Sequence, residues 1–270
     1  MSFSSGFGLG MNSQHSNEHH ADNAALIKVM PVSQDSDLAY HEALSRSAMY
    51  HYLSRVYLHP PTAEMLACLM DASFIANISE IFSPQAVTEL SRCANNLDPD
   101  NDLPLLKQEF MDLYVVPAGR YVTPFEDVYR GVRQDGQQEG GPLLGERAIA
   151  AKIMYRSAGA RMEDECKELP NHIGVELSFM SFLCEREALS LQEQDDTILA
   201  DDIDMTDATE VYRLYQLLFL QQHLNDWFPQ LNLSIQAKAK TAFYKGMAQL
   251  TEDFITWDMM ALLPPSNQRQ

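Results

Sequence analysis

The sequence predicts an all-α protein, built as a single bundle-like domain of about nine helices behind a flexible N-terminal extension. Two observations lead to this fold class. From Leu38 onward the apolar residues recur at steps of three and four, which is the period of a helix face. No run of alternating apolar and polar residues is long enough to predict a strand. With 270 residues and 46% hydrophobic content, the chain can bury one sizeable core.

Residues 1–37 form the predicted extension, because they are rich in Ser, Asn, Gly and His and contain few aliphatic residues. Gly6, Gly8 and Gly10 follow no strand and open no helix, which a dinucleotide-binding fingerprint would require. A dinucleotide site is therefore not expected. We assign residues 38–265 to one helical domain.

The first helix of that domain ends at Pro60, because proline interrupts the hydrogen bonding of a helix. Its apolar stripe consists of Tyr40, Leu44, Met49, Tyr52, Leu53, Val56 and Tyr57. The same period predicts further helices over 62–72, 84–96 and 103–115.

Prolines and a glycine break the pattern between Val115 and Pro124. A helix is predicted to resume at Thr123, where a Thr N-cap, Pro124 and Glu126 form a capping box. A Gln/Gly-rich loop (134–141) precedes a helix over 143–157. Its apolar face is assigned to Leu144, Ile149, Ile153, Met154 and Tyr155.

The best-patterned helix runs from His172 to about Gln192, with Asn171 as its predicted N-cap. Its buried face consists of Ile173, Leu177, Met180, Cys184, Ala188 and Leu191. An acidic connector over 193–210 contains no basic residue and is interpreted as a solvated linker. Two long helices, over 208–228 and 234–262, complete the bundle.

The chain has 19 basic and 38 acidic residues, which give a formal net charge of −19. Such a field repels nucleic acid and anionic lipid and attracts cationic partners, although it also simply keeps a helical protein soluble. The four cysteines lie far apart, so reduced thiols and a cytoplasmic location are expected. Neither a secretory leader nor an apolar run of about 18 residues is found, so neither export nor membrane insertion is expected.

The usual catalytic motifs are missing, including the nucleophile elbow, the phosphate-binding loop and the His-Glu-x-x-His pair. The nearest candidates are His172 and Glu176, which are four residues apart on one helix face. Their simplest role is structural. The enzymatic alternative is a helical metal-dependent hydrolase that uses His172, Glu176 and some of Glu163, Asp164 and Glu165 as ligands.

One segment resembles a known family signature. It reads Glu168-Leu169-Pro170-Asn171-His172-Ile173-Gly174-Val175-Glu176-Leu177-Ser178-Phe179-Met180. It is similar to the Glu-x-Pro-Asp-His-x-x-x-Glu-Leu-x-Phe-Met signature of the TorD/DmsD family of cytoplasmic chaperones for molybdoenzymes. Further similar stretches follow the family's order over 110–257, namely Tyr114–Pro117, Tyr121–Tyr129, Phe219–Trp227 and Phe243-Tyr244.

The resemblance implies an all-helical chaperone without enzymatic activity or a cofactor of its own. Members bind the twin-arginine signal peptide and the body of a client reductase or dehydrogenase, and delay its export until a molybdopterin cofactor is inserted. The implied partners extend to molybdenum-cofactor biosynthesis proteins, and the implied state is a monomer or a domain-swapped homodimer. Guanine-nucleotide binding has been discussed for the family, but no phosphate-binding motif supports it here.

The family's client-binding region corresponds to two segments of this chain. The matching residues are Pro124, Phe125, Glu126 and Tyr129 in one segment and Pro170, Asn171, His172 and Glu176 in the other. Helix capping and core packing are the rival explanations for each of them. We expect the two segments to converge on one groove, in which Phe125 and His172 contact the peptide.

The chain departs from the family pattern at two positions. Asn171 stands where the family has Asp, and Asp127 stands where the family has Ser. A carboxylate that could face the client's arginines is thereby lost at Asn171, so Glu126, Asp127 or Glu176 are the candidates to replace it. A general scaffold that binds amphipathic helices is the remaining alternative.

Overall fold

The predicted all-α class is confirmed by the structure, a computed structural model that describes residues 3–5, 36–79, 81–130, 141–164, 166–197 and 206–263. Two π-helical turns, Met111–Val115 and Leu220–Leu224, continue the helices Pro99–Phe110 and Thr206–Phe219. The helices are α1 (Ser36–Leu58), α2 (Ala63–Met70), α3 (Ala72–Ser79), α4 (Pro84–Asn96), α5 (Pro99–Phe110), α6 (Glu126–Arg130), α7 (Glu146–Ser157), α8 (Ile173–Thr197), α9 (Thr206–Phe219), α10 (Asn225–Lys238) and α11 (Ala242–Leu262).

Several helix boundaries differ from the predicted ones, and two of the differences change the order of elements. The stretch that was predicted as one helix over 62–72 is followed by a separate helix, α3. The break that was predicted near Pro229 is wrong, because α10 continues through this residue to Lys238. The π-helical turn Leu220–Leu224 immediately before α10 widens the helix locally, which makes room for a proline ring.

The prediction that the chain has no strand is also wrong. Strand β1 (Phe3–Ser5) pairs antiparallel with β2 (Ala160–Met162), with Ser4 opposite Arg161. Strands of three residues are too short to produce a readable alternation in the sequence. β1 lies in the predicted extension, whose remaining residues up to 35, including Gly6 to Gly10, lie outside the described residues.

Helix α1 packs along the length of α8, while α9 covers α8 and α11 packs against α4 and α10. The stripe predicted for α1 faces this core, since Met49, Leu53 and Tyr57 are fully buried and Tyr40 and Leu44 are half-buried. Among the described helices, none has both the length and the apolar character that a bilayer-spanning segment needs.

Gly174 allows α1 and α8 to approach each other closely at the start of α8. A Cβ at this position would overlap the side chain of Leu58 and lie 3.1 Å from the carbonyl oxygen of Ser54. Only glycine therefore fits here without a shift of α1.

A buried polar network joins four helices. Arg46 of α1 contacts Glu187 of α8, and it donates hydrogen bonds to Gln216 of α9 at 2.6 Å and to Asp258 of α11 at 3.1 Å. Tyr50 donates a further hydrogen bond to Asp258 at 2.7 Å. Arg46 is only 1% exposed, so its charge is compensated by these partners and not by water.

The predicted apolar face of α7 is largely wrong. The helix buries Ala148, Ala151 and Tyr155, whereas Ile149 and Ile153 are exposed. Leu144, the first residue assigned to that face, lies before the helix and is also exposed. Small alanines bring the backbone of α7 close to the core, so the larger aliphatic residues are left on the outside.

Candidate functional site

The two segments matched to the family's binding region meet in space, as expected. Phe125 and His172 form an isolated antiparallel β-bridge. Glu126 N donates to Asn171 O at 3.0 Å, and Ile173 N donates to Pro124 O at 2.9 Å. The convergence is therefore made by backbone hydrogen bonds between the two segments.

His172 caps the N-terminus of α8. It precedes the first helical residue, Ile173, and its Nδ1 accepts a hydrogen bond from Gly174 N at 3.0 Å. Because Nδ1 is the acceptor, the ring proton lies on Nε2. The ring contacts Phe125 edge to face, with 5.2 Å between the centroids. Burial lowers the pKa of His172 to about 3, so the ring is neutral near pH 7.

Asn171 is not the N-cap of α8, because His172 occupies that position. Its Nδ2 instead donates to Asp127 Oδ2 at 2.8 Å and to Leu143 O at 3.0 Å. Asn171 thereby connects the start of α8 to α6 and to the segment before α7. The two positions at which the chain departs from the family pattern, 127 and 171, are thus hydrogen-bonded to each other.

The carboxylate of Asp127 caps α7. It accepts hydrogen bonds from the backbone nitrogens of Gly145, Arg147 and Ala148 at 3.0, 3.0 and 2.9 Å. Such N–H groups in the first turn of a helix have no partner within the helix and attract anions. A Cβ at Gly145 would overlap this carboxylate, so a glycine is required there. Both oxygens of Asp127 are committed to the fold, and the residue is buried.

Glu126 is a buried anion. Its Oε1 accepts a hydrogen bond from Arg130 Nη1 at 2.8 Å, and its Oε2 lies 2.7 Å from His223 Nδ1. Burial acts to raise the pKa of Glu126, but the hydrogen bonds and charges of His223 and Arg130 outweigh it and hold the pKa below its usual value. The predicted capping box is therefore wrong, since Glu126 faces these two side chains.

Glu176 lies beside Glu126, and its pKa is shifted in the opposite direction. Its Oε2 accepts a hydrogen bond from Trp227 Nε1 at 3.1 Å. Burial, followed by the negative charge of Glu126, raises the pKa of Glu176 well above its usual value, so this carboxyl keeps its proton to a higher pH than an ordinary glutamate. Trp227 also packs against the ring of Tyr129 with 5.4 Å between centroids, which joins this predicted residue to the cluster.

The cluster could hold a metal only through a donor set that differs from the predicted one. Potential ligand atoms of Glu126, Glu176 and His223 lie within 4.8 Å of one another. Among the described residues, these three form the cluster of His, Cys, Asp or Glu side chains that could hold a metal ion. The set predicted for a hydrolase is wrong, because His172, Glu163 and Asp164 do not join Glu176 there. Glu165, the remaining predicted ligand, lies outside the described residues.

Most of the predicted residues lie below the surface. Glu126, Asn171 and Glu176 are fully buried, as is Pro124, and His172 is only 4% exposed. Those that reach the solvent in part are Phe125, Tyr129 and Pro170. Contact of all eight residues with a client stays a prediction.

Glu168 is the carboxylate beside His172 that reaches the solvent, a role that the sequence did not indicate. Its side chain is 38% exposed, and its Oε2 lies 4.0 Å from Nε2 of the neutral His172. Burial raises the pKa of Glu168, and within the described residues no cation pairs with it. Burial raises the pKa of Tyr121, and the nearby negative charge of Glu168 raises it further.

A family model described as the nitrate reductase delta subunit matches residues 83–232, which is more than half of the chain and includes both converging segments. The chain belongs to this family. The curated relatives include the perchlorate reductase assembly chaperone protein of Dechloromonas aromatica, which is 24% identical over 215 residues, covering 79% of this chain and 88% of the relative.

Two other relatives agree with this membership. The chaperone protein TorD of Vibrio parahaemolyticus is 25% identical over 193 residues, covering 71% of this chain and 80% of the relative. The selenate reductase assembly chaperone protein of Thauera selenatis is 22% identical over 187 residues, covering 67% of this chain and 86% of the relative. The TorD/DmsD resemblance is confirmed, and these relatives are named as chaperones and not as enzymes.

Proposed function

We propose that this protein is a cytoplasmic assembly chaperone of a molybdoenzyme, a reductase or dehydrogenase, and that it binds the enzyme's twin-arginine signal peptide. Relatives named as assembly chaperones of perchlorate and selenate reductases support the class of client. The charge of −19 favours a basic peptide. The observation that carries the proposal is the half-exposed carboxylate of Glu168 beside the two converging segments, with which no cation of the described residues pairs.

Glu168 has the chemistry of a guanidinium receptor. A carboxylate that is partly removed from water and lacks a cation is stabilised when an arginine binds it, and a planar guanidinium can form two parallel hydrogen bonds to it. Phe125 and Tyr121, which are half-buried near this carboxylate, add ring faces that attract a cation. Pro170 offers a further apolar contact for the segment that follows the arginines.

The eight predicted residues divide into three roles in this proposal. Phe125, Tyr129 and Pro170 touch the peptide, because they reach the surface. His172 lies beside Glu168, with 4.0 Å between its Nε2 and Glu168 Oε2. The remaining four residues, Pro124, Glu126, Asn171 and Glu176, hold the two segments together from below.

The carboxylates first considered for the arginines are replaced by Glu168 in this proposal. Asp127 is occupied by backbone N–H groups, and Glu126 is already paired with Arg130. Glu176 is fully buried, and its raised pKa disfavours the charged form. Glu168 therefore supplies the acidic contact.

Binding of a synthetic twin-arginine leader, measured by calorimetry, tests the proposed contacts. We expect Glu168→Gln and Phe125→Ala each to weaken binding by about tenfold, because each removes a charged or aromatic contact. His172→Ala should weaken it as well, since Glu168 loses its neighbour. Asp164→Asn is the matched control, because this carboxylate is 87% exposed in the same loop, and its affinity should stay within about twofold of wild type.

The folding of each variant is checked by circular dichroism before the affinities are compared. If Phe125→Ala, His172→Ala and Glu168→Gln all fold and bind like wild type, the proposed site is wrong. If Asp164→Asn weakens binding as much as Glu168→Gln, the general negative charge of the loop accounts for the binding.

A further inference from the structure

Four large aliphatic side chains lie uncovered on and just before α7. Leu143, Leu144, Ile149 and Ile153 are between 51% and 60% exposed. Ile149 and Ile153 are one helical turn apart, so their side chains are neighbours on the surface. We refer to these four residues as the α7 stripe. An exposed cluster of this kind in a folded chain usually marks an interaction surface.

The α7 stripe contributes little to the core, because α7 is held by other residues. Its inner face is seated through Ala148, Ala151 and Tyr155. The carboxylate of Asp127 fixes its first turn, and Tyr215 of α9 donates a hydrogen bond to the carbonyl oxygen of Ser157 at its end, at 3.0 Å. The helix therefore presents the stripe on a rigid support, which lowers the entropy cost of binding.

The charge of α7 is opposite to that of the whole protein. The helix carries Arg147, Lys152 and Arg156 against a single acid, Glu146. Lys152 and Arg156 are exposed, and no carboxylate of the described residues pairs with either of them. These two cations are four residues apart, so they form a basic row along the flank of the apolar one. In a chain with a net charge of −19, this face selects an acidic partner.

We propose that the α7 stripe docks an amphipathic protein helix whose apolar face is bordered by carboxylates. The aliphatic row supplies the apolar contact, and Lys152 and Arg156 pair with the partner's acids. An anionic membrane is a poorer match, because the overall charge of −19 repels it. The α7 stripe and Glu168 differ in the charge of their expected ligands, since the ligand expected at Glu168 is basic.

Two synthetic helical peptides of about five turns, or 18 residues, test this inference. Both carry leucines on one face, and the leucines are bordered by glutamates in one peptide and by lysines in the other. The net charge of the protein favours the lysine peptide, whereas the α7 stripe favours the glutamate peptide. We expect the glutamate peptide to bind at least tenfold more tightly in fluorescence anisotropy, and the preference to shrink at high salt.

Variants locate the binding surface. Ile149→Ser combined with Ile153→Ser should weaken binding of the glutamate peptide by about tenfold or more. Lys152→Glu combined with Arg156→Glu should reverse the preference between the two peptides. Leu233→Ser is the matched control, because Leu233 is a 70% exposed aliphatic residue on α10, and it should leave binding unchanged.

The inference is overturned if the lysine peptide binds more tightly, or if Leu233→Ser weakens binding as much as the double isoleucine variant. It is also overturned if wild-type protein binds phosphatidylglycerol vesicles and the Lys152 and Arg156 variant does not, since the surface then belongs to lipid. Twin-arginine peptide binding is measured on the same variants. That binding should stay unchanged, so this inference and the proposed function fail independently.

Discussion

Glu126 and Glu176 show how one buried cluster shifts the pKa values of two like residues in opposite directions. Glu126 accepts a hydrogen bond from Arg130 and contacts His223, and these partners outweigh the effect of burial on its pKa. Glu176 has Trp227 as its partner and lies beside the anion of Glu126, so its pKa is raised. One charged and one protonated carboxyl can share a site from which two anions would repel each other.

Glu176→Gln tests the protonation state of Glu176. The folded protein holds this proton more tightly than the unfolded chain, in which the pKa is near 4.5. Folded molecules therefore bind more protons than unfolded ones above about pH 5, and the stability contribution of Glu176 falls as pH rises, by up to about 1.4 kcal/mol per pH unit. We expect Glu176→Gln to fold and to remove this fall between pH 5 and pH 7, in urea unfolding at several pH values. An unchanged pH slope would show that Glu176 is ionised in the fold.

At this scale the sequence identified some members of the site and missed others. From the resemblance, the segments that contain Phe125 and His172 were predicted to converge, and the β-bridge between these two residues confirms that the segments meet. His223 could not be assigned to the site, because 97 residues separate it from Glu126 and no spacing rule connects them. Glu168 stands in the matched signature, but its exposure depends on how the loop before α8 folds over His172.

Helix α7 shows why an element can be predicted while its orientation is not. The helix over 143–157 was found within a few residues of the observed Glu146–Ser157. Its buried face was not found, since it depends on the alanines that approach the core and on a cap supplied by Asp127 from a different segment. Local pattern rules see only residues that are near in sequence. The apolar residues that were predicted to be core became an exposed surface instead.

Asp127→Ala should destabilise the protein by about 3 kcal/mol, because it leaves the buried N–H groups of Gly145, Arg147 and Ala148 without an acceptor. Asp98 is a suitable comparison, since its exposed side chain caps α5 through a hydrogen bond from Asp100 N at 3.2 Å. Asp98→Ala should cost about 1 kcal/mol. Both values follow from urea unfolding, and equal losses for the two variants would refute the stronger cap at α7.

At the scale of the whole molecule, the buried cation of Arg46 joins four helices of the bundle, and the apolar pattern of the sequence does not indicate this. The recurrence of apolar residues predicted which helices form a core, and α1 and α8 pack as that pattern requires. Arg46 lies on the buried side of α1 among apolar residues, where a charged residue is expected only if it is paired. Its partners on α8, α9 and α11 come from distant parts of the chain, so only the assembled bundle reveals the network.

Arg46→Ala should lower the free energy of unfolding by about 3–5 kcal/mol, because Glu187 and Asp258 are left buried without a cation. Arg92→Ala is the matched control, since Arg92 pairs with Glu89 at the surface and is 61% exposed, and it should cost less than about 1 kcal/mol. Similar losses in chemical unfolding of the two variants would show that the buried network adds no more than a surface pair.

The central claim, that this chaperone recognises the arginine pair of a signal peptide, is tested most directly by calorimetry with two forms of one leader. One form keeps the twin arginines, and in the other both are replaced by alanine. Loss of the charge-assisted hydrogen bonds to Glu168 predicts binding at least tenfold weaker for the alanine form, and this difference should shrink in Glu168→Gln. Equal affinity for both forms would contradict the claim and favour a general scaffold for amphipathic helices.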